Sequence, residues 1–257
     1  MTDLPVGPEL ERLGVGGIVG DTFSLFFSRI GHIFMLAFLP ALIVVIVQYQ
    51  LIPPVDLENR PDLDPGQFSI GGQLLSVPIT SIGTSLITAL IVRLAYDAKI
   101  GNPMRPMAYV SSTIAVIIPL AICSIVVSIA SSIAMIVPGL WVYAVWCCVT
   151  PAIVIENDGY NSFDRSAQLT KDYRWPCLGA LLIVGICSFF PLTAIDLLYA
   201  FDFGNTGFAL GSVYIFFTMI GTIIYMAMFG ICIALIYVRL REIKEGTRVE
   251  QLAEVFA

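Results

Sequence analysis

The long uncharged stretch between Arg105 and Glu156 constrains this chain more than any other feature. Residues 106–155 contain no charged side chain at all. A soluble domain covers its surface with charged residues, which make up about 25% of an average sequence. Here they make up 12%, while 58% of the residues are hydrophobic. Because such a chain lacks the charge to face water over most of its exterior, the sequence predicts a membrane protein.

Six apolar stretches are long enough to cross a bilayer, whose hydrocarbon core of about 30 Å requires roughly 20 residues of helix. A helix satisfies its own backbone hydrogen bonds, which lipid cannot do. We therefore predict an all-α fold, a polytopic transmembrane helical bundle in a single integral membrane domain over residues 1–257. The third and fourth spans are predicted to turn at Pro138-Gly139. The predicted spans cover residues 31–52, 72–96, 112–136, 138–156, 176–198 and 209–238.

The distribution of lysine and arginine predicts the orientation of the bundle. Basic residues are retained in the cytoplasmic loops of membrane proteins. With the N-terminus inside, all of the 13 basic residues except Arg60 fall in segments on the cytoplasmic side. Arg60 lies in an acidic, proline-containing outer loop, residues 56–64, which is interpreted as solvated rather than cation-binding. Both termini are therefore predicted to be cytoplasmic.

Three cytoplasmic segments are predicted to be amphipathic helices that lie at the membrane interface. The first falls within residues 1–30 and has an apolar stripe of Val15, Val19, Thr22, Phe23, Phe26 and Ile30. The second has a stripe of Phe163, Ser166, Ala167, Thr170 and Tyr173. The third is the tail, residues 246–257, where Gly246 is predicted to end the sixth span. Lipid or partner contacts are predicted for Phe163, Arg165, Lys171, Arg174 and Trp175.

Uncharged polar residues cluster in the second and third predicted spans. The third span places Ser124, Ser128 and Ser132 on one helical face, because they are spaced four residues apart. Small residues at this spacing allow helices to pack closely and to share hydrogen bonds. The alternative is a polar cavity between the two spans for a lipid headgroup or a small solute. The residues concerned are Ser81, Ser85, Thr88, Ser124, Ser128 and Ser132.

No set of residues with catalytic or metal-binding chemistry is evident in the sequence. His32 is the single histidine and lies at the junction before the first span. The six cysteines all fall in apolar stretches and are interpreted as small hydrophobic residues. Cys147 and Cys148 are adjacent and are expected to point to different sides of a helix. No charged residue lies near the middle of a predicted span, which disfavours ion-coupled pumps. We expect no cofactor, no metal and no enzymatic activity.

Several motifs resemble a family of uncharacterised bacterial integral membrane proteins. The family is often labelled the glycerophosphoryl diester phosphodiesterase membrane domain and is similar to the YciC-like membrane proteins. The resemblance implies a multi-span module of unknown role in a bacterial plasma membrane. The phosphodiesterase activity in the label belongs to a separate soluble barrel, so the resemblance transfers no catalytic residue to this chain. The motifs are Pro138–Val142 with Trp146, Pro151-Ala152 and Glu156; Ser162–Ala167 with Leu169–Lys171; and Leu240–Glu242 with Lys244–Gly246.

Three functions remain open on the sequence. The favoured one is a non-enzymatic membrane module that organises lipid or docks a partner. The second is a permease or lipid-handling transporter that uses the polar cavity between the second and third spans. The third, an intramembrane enzyme acting on phospholipid, lacks any paired acid, nucleophile–base pair or metal set. The expected partners are the phospholipid bilayer and a protein partner or a second copy of the chain, with no nucleic acid.

Overall fold

A computed structural model of the protein describes residues 13–51, 70–133, 136–157, 159–202 and 208–246. These residues are almost entirely helical and include no strand. A short helix, α7 (Val149–Pro151), continues into one π-helical turn, Ala152–Glu156. The other helices are α1 (Val15–Ser28), α2 (Ile30–Leu51), α3 (Ile70–Ile100), α4 (Pro106–Ala115), α5 (Ile117–Ile133), α6 (Ile136–Trp146), α8 (Ser162–Thr170), α9 (Arg174–Asp202) and α10 (Phe208–Glu245).

The predicted helical membrane fold is confirmed. Five of the described segments are long and apolar enough to cross a membrane. The third predicted span differs from the others because α4 and α5 meet at a bend of 70° at Val116. Counted as one broken span, this pair brings the total to six. The qualifying segments are Ile30–Gln48, Ile79–Ile100, Gly139–Glu156, Arg174–Ile195 and Val213–Glu245.

The hairpin turn predicted at Pro138-Gly139 is wrong by a few residues. Both residues lie inside α6, which begins at Ile136. Proline is tolerated in the first turn of a helix, because the first backbone N–H groups have no partner within the helix. The described helices on either side end at Ile133 and begin at Ile136.

The fourth span is interrupted at Cys147 and Cys148, between α6 and α7. Such a break is tolerated at membrane depth only when other groups satisfy the released backbone atoms. Ser166 of α8 accepts a hydrogen bond of 3.1 Å from the Cys148 N–H and donates one of 2.8 Å to the Val145 carbonyl. Thr170 donates a further bond of 3.1 Å to the same carbonyl. Hydroxyl groups of α8 therefore stabilise the break.

The first two predicted amphipathic helices exist, but their apolar faces contact the bundle. α1 buries Ile18, Thr22 and Phe26 and packs against α9 and α10. Ile30, predicted on that stripe, begins α2 and is exposed. α8 packs against α6, α7 and α10. The predicted amphipathic tail lies outside the described residues.

A repeated order of elements runs through the chain. A short helix precedes two long helical segments in α1–α2–α3, in α4–α5–α6/α7 and in α8–α9–α10. α10 is the central element, because it contacts α1, α2, α3, α8 and α9. It ends at Glu245, and Gly246 adopts φ +64° and donates its N–H to the Glu242 carbonyl. The predicted stop at Gly246 is confirmed.

Candidate functional site

A polar cavity of about 270 Å³ lies between α3, α5, α6 and α10. Small-molecule sites typically have volumes of roughly 300–1,000 Å³, so this cavity is near the lower limit. Its described lining includes no charged side chain. The polar groups that line it are Thr84, Ser85, Thr88, Cys123, Ser124, Tyr143, Trp146, Cys147, Thr150 and Tyr225.

The serine and threonine hydroxyls that α3 and α5 contribute to the cavity donate their hydrogens to carbonyls of their own helices. Ser85 bonds to Ser81 O at 2.5 Å, Thr88 to Thr84 O at 2.8 Å, and Ser124 to Leu120 O at 2.7 Å. A hydroxyl oxygen that donates one bond still has lone pairs that accept others. The lining therefore offers acceptor oxygens to any group in the cavity.

The structure brings together three of the six residues predicted for a cavity or for packing. Ser85, Thr88 and Ser124 all line the cavity. Ser81 lies one turn from Ser85 and provides its acceptor carbonyl, but it is not part of the lining. Ser128 and Ser132 have side chains outside the described part of the structure. Sequence reasoning missed Tyr143, Thr150 and Tyr225, because their helices are distant in sequence from the second and third predicted spans.

A charged network lies at one end of the cavity, which we call the charged end of the bundle. Arg165 donates two hydrogen bonds of 2.8 Å to the Glu156 carboxylate and also pairs with Glu245. Tyr237 donates a hydrogen bond to Glu156. Arg241 lies 3.7 Å from Glu156 and 3.0 Å from Glu245. These contacts connect the π turn, α8 and α10, which are the segments that carry the resemblance motifs.

The charged network fits a structural role, because its charges neutralise one another. The hydrogen bond with Glu156 is the largest cause that raises the pKa of Arg165, and the bond with Glu245 adds to it, although burial opposes both. Arg93 of α3 donates bonds of 3.2 and 2.6 Å to the Val154 carbonyl in the π turn. Arg165 was predicted to contact lipid or a partner; the structure instead engages it with Glu156 and Glu245.

The network lies close to the cavity along the helix axis. Arg93 is five positions from Thr88 on α3, or about 7.5 Å at 1.5 Å per residue. Ile153, which lines the cavity, is one helical turn from Glu156. Two helices of the cavity wall, α3 and α10, are therefore joined to the π turn at the charged end, α3 by arginine–carbonyl bonds and α10 by contacts with Glu156.

Aromatic residues separate the cavity from a second, apolar groove. Tyr143, Tyr225 and Phe229 line both spaces. The ring of Phe229 lies 5.8 Å from that of Tyr143 and stacks at 6.0 Å on that of Tyr225. We call these three residues the aromatic partition. Its inner side faces the hydroxyl groups, and its outer side faces a groove between α6 and α9.

The remaining predicted contact residues differ in their surroundings. Phe163 is only partly exposed and packs edge-on against Trp146 at 5.2 Å, so its ring contacts the protein. Lys171 is exposed, and its carbonyl accepts a bond from Lys244. Trp175 is 70% exposed and keeps the predicted position at the surface. Arg174 is partly exposed and lies over the ring of Trp141.

Four buried thiols lie near the break in the fourth span, at Cys147, Cys148, Cys177 and Cys232. The Sγ atoms of Cys147 and Cys148 are 3.8 Å apart. The expectation that they point to different sides of a helix is wrong, because the helix breaks at these residues. Within the described ranges, no group of three or more histidine, cysteine or acidic residues has a geometry that could hold a metal ion. The acidic segment 56–64 lies outside those ranges.

Comparisons with known proteins give no further information about the site. No family model matches the chain, and no significant match is found among curated proteins or solved structures. The resemblance to the glycerophosphoryl diester phosphodiesterase membrane domain therefore stays a prediction.

Proposed function

We propose that the protein is a permease or lipid-handling membrane protein that holds an uncharged, hydroxyl-bearing group in the polar cavity. The cavity itself carries the proposal, because it gathers Ser85, Thr88 and Ser124 with two tyrosines inside the bundle. The serine and threonine hydroxyls of the lining already donate to their own helices, so their remaining lone pairs are available to a ligand that donates hydrogen bonds.

The chemistry of the lining favours this ligand class over ions. Ion and proton pathways in membrane proteins are usually marked by charged side chains, and the described lining has none. Hydroxyl oxygens that already donate to helix carbonyls accept bonds from the O–H groups of a polyol. The same chemistry occurs in a free polyol and in the uncharged part of a glycerolipid headgroup.

The packing of the short helices ranks this function above a scaffold or docking module. The docking hypothesis relied on amphipathic helices with apolar faces available to lipid or a partner. The faces of α1 and α8 are covered by the bundle itself, through residues such as Ile18, Phe26 and Leu169. The described part of the chain therefore offers less free apolar surface for docking than the sequence suggested.

Transport and lipid movement can be measured separately on the full chain in phosphatidylcholine vesicles. One arm records glycerol entry by light scattering. The other arm records movement of a fluorescent phosphatidylglycerol between leaflets by dithionite quenching. The test variant combines Ser85→Ala, Thr88→Val and Ser124→Ala, which remove the acceptor oxygens. Its control is Thr193→Val, at a partly exposed residue of α9 whose hydroxyl also bonds only to its own helix.

We expect one arm to exceed protein-free vesicles and the triple variant to lose at least about tenfold of that rate, the factor for roughly 1.4 kcal/mol. Thr193→Val is expected to match the unmodified protein. Glycerol entry alone indicates a permease, and leaflet exchange alone indicates lipid handling. If neither rate exceeds the protein-free rate, or if the triple variant is fully active, the proposal is wrong.

The proposal includes a bacterial inner-membrane location with both termini in the cytoplasm. It is supported by the basic residues and by the contact between Lys99 and Asp21, which puts the end of α3 beside α1. Reporter fusions after Leu63 and after Gly204 should report the periplasm, and a fusion after Ile100 should report the cytoplasm. The reverse pattern would refute the orientation while leaving the helical bundle unaffected.

A further inference from the structure

The groove on the outer side of the aromatic partition is an apolar space of about 370 Å³. Leu140 of α6 lines it together with Leu178, Leu182 and Ile186 of α9. Leu182 is 40% exposed and Ile186 is 70% exposed. Because these rim residues are exposed in a spanning segment, the groove opens toward the surrounding lipid.

The length of the groove matches one leaflet of a bilayer. Its lining on α9 extends from Leu178 to Phe189. These residues are eleven positions apart, or about 16 Å at 1.5 Å per residue. Half of a hydrocarbon core of roughly 30 Å is about 15 Å. The groove is therefore long enough for one acyl chain that reaches from the interface to the middle of the membrane.

An arginine with an unused donor lies at one end of this groove. Arg174 is one helical turn before Leu178 on α9. Its guanidinium lies 5.4 Å from the ring centroid of Trp141, which follows Leu140 in α6. Its Nε is buried and has no hydrogen-bond partner among the described residues. Arg174 as a whole is partly exposed, and a phosphate oxygen is a partner of suitable geometry for a guanidinium.

The surroundings of Arg174 favour an anionic headgroup. Lys171 and Arg174 lie near the ammonium of Lys244, and the carboxylate of Asp172 is also close to it. This corner of the described structure therefore gathers three basic side chains. Trp175 packs edge-on against Trp141 at 5.4 Å and is 70% exposed. Exposed tryptophans of this kind are typical of the membrane interface.

We propose that the groove between α6 and α9 holds one acyl chain of an anionic phospholipid, whose phosphate accepts hydrogen bonds from Arg174. Lys171, Arg174 and Lys244 supply the preference for a negatively charged headgroup, and the apolar groove supplies the affinity for the acyl chain. This site is separate from the polar cavity and does not depend on its ligand. The aromatic partition is the only wall that the two sites are shown to share within the described residues.

Native mass spectrometry of the full chain in detergent tests the headgroup. The protein is mixed with equal amounts of phosphatidylglycerol and phosphatidylcholine that have the same acyl chains. We expect phosphatidylglycerol to be retained preferentially, and Arg174→Gln to reduce that preference by about tenfold, as for the loss of one charge-assisted hydrogen bond. Arg105→Gln is the control, because Arg105 is an exposed arginine that lies before α4, away from the groove.

Substitution of one glycine tests the acyl-chain groove. Gly185 lines the groove, and a Cβ atom at this position would meet no other atom within 4 Å. Gly185→Phe is therefore expected to fill the groove without a backbone clash. Gly179→Phe is the matched control, since Gly179 lies on the same helix with equally open space but outside the lining. Gly185→Phe should release the bound lipid, and Gly179→Phe should retain it.

Each possible result of these experiments supports or overturns the proposed lipid site. Equal effects of Arg174→Gln and Arg105→Gln, or equal retention by the two glycine variants, would overturn the proposal. Displacement of the lipid by sn-glycerol 3-phosphate at equal concentration would indicate a site for a free anion instead. Should Gly185→Phe fail to elute as a monodisperse species, Gly185→Leu replaces it. Thr88 lines the polar cavity on the far side of the partition. Loss of the lipid in Thr88→Val, with full retention in Arg174→Gln and Gly185→Phe, would place the bound lipid in the polar cavity and overturn the proposal.

Discussion

Two sets of hydroxyl groups in this bundle differ in their hydrogen bonds. Ser166 of α8 bonds across to Val145 and Cys148, where the fourth span is broken, and Thr170 bonds both to Val145 and to the Ser166 carbonyl of its own helix. The hydroxyls of the cavity, such as that of Thr88, bond to carbonyls of their own helix. The first set satisfies backbone groups that would otherwise have no partner. The second set bonds to carbonyls already engaged in a helix.

This difference indicates that the first set of hydroxyls stabilises the fold and that the second set is available for binding. A cross-helix bond to a broken backbone is required for the fold, because lipid offers no replacement partner. A bond from serine or threonine to its own helix slightly destabilises that helix. Hydroxyls that add little stability, yet gather around one cavity, are better explained by a ligand. The comparison predicts that loss of a hydroxyl lowers the free energy of unfolding much more in the first set than in the second.

The largest effect on stability is expected for Ser166→Ala. The substitution leaves the Cys148 N–H without a partner and removes one of the two side-chain bonds to the Val145 carbonyl. An unsatisfied buried backbone group costs roughly 1–3 kcal/mol, so we expect a loss of about 2 kcal/mol in the free energy of unfolding. Denaturant titration in mixed micelles measures this quantity.

Ser111→Ala is the control for that experiment, because Ser111 is exposed and bonds only to Ala108 of its own helix. It should change the free energy of unfolding by less than about 0.5 kcal/mol. If Ser166→Ala is as stable as Ser111→Ala, the broken fourth span does not depend on the hydroxyl of Ser166, and the proposed difference between the two sets of hydroxyls is wrong.

The sequence contains a signal for the structural hydroxyls but not for their partners. Ser166 and Thr170 were predicted on the apolar stripe of the second amphipathic helix. Polar residues on such a face indicate bonds to another element, but the sequence does not identify Val145, which is 21 positions from Ser166. The apolar runs were sufficient to predict the spans, because length and hydropathy are local properties.

Features that depend on contacts between distant segments were less predictable. The serine and threonine pattern indicated a polar face, but the tyrosines that complete the cavity come from α6 and α10. The bend at Val116 and the break at Cys147 each precede a proline, Pro119 and Pro151, by three and four residues, so the sequence carries a helix-breaking signal for both. Prolines were the visible helix-breaking signals, and the structure accommodates Pro138 in the first turn of α6.

The smallest effect on stability is expected for Thr88→Val, which keeps the shape of the side chain and removes the cavity hydroxyl. Its bond to Thr84 O lies within α3, and its bond to α10 is a weak contact of 3.8 Å with the sulfur of Met226. We therefore expect the free energy of unfolding to change by less than about 0.5 kcal/mol. The same titration in mixed micelles measures it beside Ser166→Ala. A loss as large as that of Ser166→Ala would mean that the cavity hydroxyls hold α3 against α10, which would favour the packing interpretation over a binding site.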